Sequence, residues 1–77
     1  MIKAGQIYNC QNELIYVITK QYPFREEDGE IEKRYQAICS DEYVFEILRI
    51  DEIIKDELIA EYPTWQEAVN SKEFNND

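Results

Sequence analysis

Seventeen carboxylates, two cysteines and no histidine set the chemistry open to this 77-residue chain. Without His, neither a Ser-His-Asp nor a Cys-His arrangement can be assembled. Gly5 and Gly29 are the only glycines, so no Gly-rich loop is present to cradle phosphate. Cys10 and Cys39 lie far apart without C-x-x-C spacing, whereas a structural zinc normally takes four Cys or His ligands. Paired carboxylates can act as general acid and base, but with this many acids some pair must lie close, so proximity identifies nothing. A chain this short is also expected to lack the cleft of ~300 Å³ typical of ligand sites. The sequence thus predicts a non-enzymatic protein with no cofactor and no metal.

The residues left as candidates are suited to binding. Tyr22 and Phe24 flank Pro23, where an exposed aromatic pair can anchor a protein partner; the other reading is that they cover the open end of a small barrel. Beside them runs the acidic stretch Glu26, Glu27, Asp28, Gly29, Glu30. Its spacing is not that of a Ca²⁺ loop, which alternates its ligands and ends on a Glu at the twelfth position. Charges there also keep an exposed hairpin tip from aggregating. Tyr22, Phe24, Glu26, Glu27, Asp28 and Glu30 are the predicted partner-binding residues.

Charge bounds the partners. The seventeen acids face eight Lys and Arg, a formal net charge of -9. Nucleic-acid binding rests on clustered basic side chains meeting phosphate, and anionic lipid also attracts basic segments, so neither is expected as a direct partner. An acidic domain can instead imitate the phosphate array and block a nucleic-acid-binding protein, if its carboxylates converge on one face. Solubility explains the same charge. Met1 to Gln6 is not the long apolar run of a secretory signal, and nothing approaches the ~18 apolar residues of a membrane span. A cytoplasmic location follows as the expectation. In that reducing setting Cys10 and Cys39 read as small core hydrophobes, with a disulfide between them as the alternative.

The elements that must position these residues read mainly as strands. Gln6 to Cys10 is the first, followed by a turn at Gln11-Asn12. From Leu14 to Tyr22, Ile15, Val17 and Thr19 point one way, and Leu14, Tyr16 and Ile18 the other. A strand apolar on both faces belongs inside a sheet or barrel. Pro23 is expected to end it, because it lacks a ladder donor, and residues 25–32 read as a solvated loop turning at Asp28-Gly29. Lys33 to Cys39 returns, with Tyr35, Ala37 and Cys39 on one face, and Ser40-Asp41 reads as a two-residue turn. A fourth strand follows, with Tyr43, Phe45 and Ile47 opposite Val44, Glu46 and Leu48.

Residues 49–62 admit two readings. Ile50, Ile53, Ile54 and Leu58 recur at helical spacing and Asp51 can cap a start, which allows one helix from 46 to 61. A helical turn at 51–56 and a strand at 57–62 instead leave the fourth strand its full length, and this reading is preferred. Thr64-Trp65-Gln66-Glu67 is a capping box; Trp65, Ala68 and Val69 then share a face that packs on the sheet. Phe74 lies past the next turn and residues 75–77 read as a frayed tail. The sum is a single domain over 1–77, mainly β (α+β): an SH3-like antiparallel barrel or meander of about five strands, closed by a short C-terminal helix.

Two segments carry a resemblance. Ala4-Gly5-Gln6-Ile7-Tyr8 followed by Ile15-Tyr16-Val17, and the closing stretch from Glu61-Tyr62-Pro63-Thr64-Trp65 through Lys72-Glu73-Phe74, resemble the two ends of small β-barrel proteins. These form a loose, uncharacterised group encoded by bacteriophages and prophages of Gram-positive bacteria. The resemblance implies a phage or prophage context and assigns no residue a role. Residues 20 to 57 match nothing in that group. The functional expectation is a module that binds a protein partner or itself; the alternative is the acidic mimic.

Overall fold

The computed structural model describes residues 1–10, 14–41 and 44–75. Strands β1 (Gln6–Asn9), β2 (Ile15–Arg25), β3 (Ile31–Cys39) and β4 (Phe45–Arg49) follow one another as an antiparallel meander. Helix α1 (Ile50–Ile53) then leads the chain back, and β5 (Glu57–Glu61) pairs with the outer side of β1. The sheet order is β4-β3-β2-β1-β5, the mainly β, five-stranded architecture expected from the sequence in its meander form. Two short helices, α2 (Trp65–Val69) and α3 (Lys72–Asn75), end the chain. Among the described residues no helix is long and apolar enough to cross a membrane.

The central strands are covered on both faces, as their two-sided apolar pattern requires. On one face Tyr8, Tyr16, Ile18, Tyr35 and Ala37 pack with Ile53 of α1. Tyr8 and Tyr16 are cross-strand partners whose rings stack with centroids 5.6 Å apart, a pairing that stabilises a sheet beyond the area it buries. On the other face Ile7, Val17 and Ile38 pack with Ala68 and Phe74, and Trp65 and Val69 sit half-buried around them. The alternation Ile15/Val17 against Tyr16/Ile18 thus sorts into the two cores.

Gly5 and Gln6 tie the N-terminus to β5. Gly5 has φ +94° and is flanked by two backbone bonds, its N–H to the Ile18 carbonyl (2.8 Å) and its carbonyl from the Tyr62 N–H (3.0 Å). Buried Gln6 donates to the Met1 carbonyl and to Glu61 Oε1, both at 2.9 Å. Its Oε1 accepts from the Lys3 N–H (3.0 Å) and the Tyr8 hydroxyl (2.8 Å). A buried amide satisfied on both ends is a strong positional constraint.

Several local expectations are revised. Pro23 does not end β2, which runs to Arg25, and Pro23 pairs with Lys33. Beyond Ile18, β2 has no ladder partner on its β1 side among the described residues, because β1 reaches only to Val17; on an edge the missing N–H need not face a neighbour. Arg25, Ile31 and Glu32 of the expected 25–32 loop are consequently ladder, and the turn itself contracts to 26–30. There Gly29 N–H bonds the Glu26 carbonyl, Glu26 N–H bonds the Glu30 carbonyl, and Gly29 has φ +89°. The Ser40-Asp41 turn is longer than two residues: Cys39 N–H bonds the Val44 carbonyl at 2.9 Å. The expected turn at Gln11-Asn12 and the placement of Tyr43 lie outside the described residues.

The 49–62 segment adopts the turn-plus-strand form. Asp51 is not its cap; Arg49 holds that position without a side-chain cap bond, and only Ile53 of the helical apolar set is buried. A longer helix would bury Ile53 equally but would forfeit the β1–β5 ladder. At the C-terminus Thr64 accepts from the Glu67 N–H (3.2 Å) as expected. The helix then divides at Ser71, whose hydroxyl donates to the Ala68 carbonyl (2.5 Å) and accepts from the Phe74 N–H (3.3 Å). Asn75, counted with the tail in the sequence reading, closes α3 and donates to the Val69 and Ser71 carbonyls, both at 2.8 Å.

Candidate functional site

The predicted partner-binding residues gather on the β2–β3 hairpin, where Glu26, Glu27 and Asp28 line an open pocket with Arg25. Tyr22 stands opposite Arg34 and is 40% exposed. The Phe24 backbone pairs with Glu32; its side chain lies outside what the structure describes. Glu26 is half-buried against Arg34 (3.2 Å), which also meets Glu32 (3.3 Å). The hydrogen bond between the two carboxyls raises Glu26 above the usual range and lowers Glu32 below it. Glu27, Asp28 and Glu30 are exposed at the tip, where Asp28 Oδ1 accepts from the Glu30 N–H (3.0 Å). Local turn chemistry accounts for Asp28 and Glu26.

A groove elsewhere concentrates more recognition chemistry. Its volume is about 550 Å³, above the size expected of so short a chain. It opens where β1, β2 and β3 end beside β4 and α1. The floor is apolar: Ile15, Tyr16 and Leu48, with Cys10 and Cys39 beside them and Leu14 and Val44 further out. The rim carries Asp41, Glu46, Glu52 and Asp56 against a single cation, Lys55, a stronger acidic bias than that of the whole chain. Leu14 at 39% and Val44 at 42% remain exposed at its mouth.

Two groups inside the groove, Tyr16 and Cys39, hold their protons more tightly than usual. Tyr16 donates to Asp56 Oδ2 at 2.6 Å; burial first, and that bond next, push its hydroxyl well above the ordinary tyrosine range. Burial, aided by Glu46 and Asp41, pushes the Cys39 thiol up to about 11. A thiol is nucleophilic as its thiolate, so Cys39 is deactivated near neutral pH. Both cysteines are free and half-buried, bordering the core as the small-hydrophobe reading expects. They extend strands on either side of β2, a lateral spacing of about 9.5 Å, beyond the ~7 Å Cα separation a disulfide bridges. Among the described residues no group of three or more His, Cys, Asp or Glu is placed to hold a metal ion.

Sequence reasoning missed this groove because its lining comes from separate elements and reads residue by residue as core. One signal was available: Glu46 interrupts an otherwise apolar inward row, Val44 and Leu48 on either side of it. Comparison with family models, with curated proteins and with solved structures finds no match to this chain, so the groove's geometry is the ground for a functional reading.

Proposed function

We propose that this chain is a non-enzymatic protein-interaction module, of the phage or prophage type its two ends resemble, that grips a partner in the groove between α1 and the β1–β3 strand ends. The observation that carries the reading is an apolar floor within a rim of four carboxylates and one lysine. Interfaces take affinity from a desolvated apolar centre and orientation from the charged rim. The raised Cys39 and Tyr16 groups fit binding better than catalysis, which needs a nucleophile or base active near neutral pH. Imitation of a phosphate array receives less support. Glu26, Glu32, Glu61 and Glu73 are engaged in bonds to Arg34, Lys3, Gln6 and Tyr62, and Asp56 is bonded to Tyr16.

The test is affinity capture from a Gram-positive host lysate with three baits: wild type, Leu14→Arg in the groove and Glu27→Lys at the hairpin tip. The expected result is a partner held by wild type and Glu27→Lys and lost by Leu14→Arg. Retention by Leu14→Arg overturns the groove assignment, as does a partner lost only by the tip variant. Displacement of the partner by duplex DNA, equally from wild type and Leu14→Arg, would instead establish mimicry.

A further inference from the structure

The two edges of the sheet are unlike. β5 is irregular, with a register shift against β1 between Ile7 and Tyr8, and it carries Glu57 and Glu61 at its ends. β4 pairs with β3 in unbroken register from Arg34↔Arg49 to Ile38↔Phe45. Its sequence holds no proline, and Phe45 (54%) and Ile47 (40%) are exposed on it. Natural sheets blunt an edge by charges, bulges, prolines or coverage; β4 has charges at Glu46 and Arg49 but an unbroken ladder, which leaves it a template for another strand.

Resting on the function proposed above, we infer that β4 receives an extended segment of the partner protein, alternating apolar and basic residues, as an additional strand beside the groove. Successive side chains of β4 point to opposite faces. Phe45 and Ile47 lie on one face; Glu46 and Leu48 line the groove on the other. A strand laid along this edge presents its own side chains with the same alternation. One set covers Phe45 and Ile47, which favours apolar residues. The other set enters the mouth of the groove near Glu46, with Asp41 on the same rim, which favours Lys or Arg; Glu52 is already met by Arg49 at 4.0 Å. Main-chain bonds supply affinity and the alternating pockets supply specificity, as in other cases of strand addition. A second copy of this chain is a poor occupant. Each copy carries -9, and antiparallel self-pairing about Ile47 would set the two Glu46 side chains on one diagonal.

The probes are fluorescein-labelled, end-capped peptides: alternating valine and lysine, alternating valine and glutamate, and a valine-lysine peptide of equal composition in blocks. Anisotropy titrations with the full chain are expected to favour the alternating valine-lysine peptide by roughly tenfold or more over each of the others. Ile47→Lys and Glu46→Lys should each weaken that binding about tenfold, whereas Ile59→Lys on the opposite edge should leave it unchanged. Circular dichroism of each variant confirms the fold, and amide exchange should show protection of β4 by the bound peptide. Equal binding of the blocked peptide, unchanged affinity in both β4 variants, or self-association of the free chain through β4 overturns the inference. If the alternating peptide fails while the lysate partner is still lost by Leu14→Arg, strand addition is wrong and the groove reading stands. If the lysate partner also survives Leu14→Arg, both are wrong.

Discussion

Gly5→Ala tests whether the N-terminal clasp holds the sheet together. A Cβ on Gly5 would overlap the Tyr62 carbonyl oxygen and lie 3.1 Å from that carbonyl carbon and 3.4 Å from the Thr64 carbonyl carbon. All three are backbone atoms, which cannot rotate away. The left-handed φ of +94° alone costs an alanine about 1–2 kcal/mol. Relieving the overlap means moving β5 from β1, with loss of the Tyr62 N–H to Gly5 carbonyl bond, about 1 kcal/mol. The displaced packing adds about 1–3 kcal/mol. Alanine's smaller unfolded-state entropy returns about 0.4–1 kcal/mol, leaving a net loss of about 3 kcal/mol. Gly29→Ala is the internal control: its φ is +89° but nothing lies within 4 Å of the added Cβ, so only about 1 kcal/mol should be lost. Urea unfolding followed by circular dichroism and by the fluorescence of half-buried Trp65 measures both. At about 4–8 °C per kcal/mol, Tm should fall by about 15 °C for Gly5→Ala and about 5 °C for Gly29→Ala. Equal losses in the two variants would refute the close approach of β5 as the cause.

Tyr16→Phe removes the hydroxyl bond to Asp56 and should lower stability at pH 7 by about 1.5 kcal/mol in urea unfolding. Because the folded chain holds the Tyr16 proton more tightly than the unfolded chain, its contribution is complete below about pH 10 and is lost as pH rises beyond it. Wild-type stability should therefore fall more steeply than that of Tyr16→Phe in alkali, with raised Tyr8 leaving a residual slope in the variant; parallel alkaline limbs would contradict this. With its thiol held at about 11, Cys39 should be alkylated by iodoacetamide at pH 8 about 100-fold more slowly than in the unfolded chain. Glu46→Gln should shorten that delay, and mass spectrometry of the Cys39 peptide reads both rates. Ile53→Ala empties the one core position α1 fills and should lose about 2–5 kcal/mol by urea unfolding; a loss below about 1 kcal/mol would show that α1 does not seal the core.

Local patterns disclosed most of the fold because side-chain alternation and capping are local physics. Ile15 to Ile18 announced a two-sided strand, and it became the centre of the sheet. Thr64 and Glu67 announced a helix start, and the Thr64 bond to the Glu67 N–H is in place. Pro23 misled because a proline's penalty depends on whether a neighbour faces its nitrogen, which is decided by how far β1 extends. The break at Ser71 was not legible at all. Nothing in Trp65 to Phe74 demands a break, yet a buried hydroxyl bonded to both the Ala68 carbonyl and the Phe74 N–H divides the helix and turns Phe74 into the core.

The groove was illegible for a different reason, and that reason bears on what it does. Its lining residues satisfy ordinary packing rules: Leu14 leads into β2, Tyr16 stacks on Tyr8, Leu48 and Cys39 border the core. Only the return of the chain through α1 brings Glu52 and Asp56 over these residues from the far edge. Glu52 is exposed there and costs little, whereas the half-buried Asp56 is unfavourable beside apolar residues unless it is paired. Asp56 is paired, through Tyr16. Glu46 shares the groove-lining face of β4 with Leu48 but is exposed, and after burial it is the next group that holds the Cys39 thiol up. Stability does not require a carboxylate there. The proposed interaction uses one, which makes Glu46 the residue at which fold and proposal separate: Glu46→Lys should leave unfolding within about 0.5 kcal/mol of wild type while weakening binding of the alternating valine-lysine peptide about tenfold.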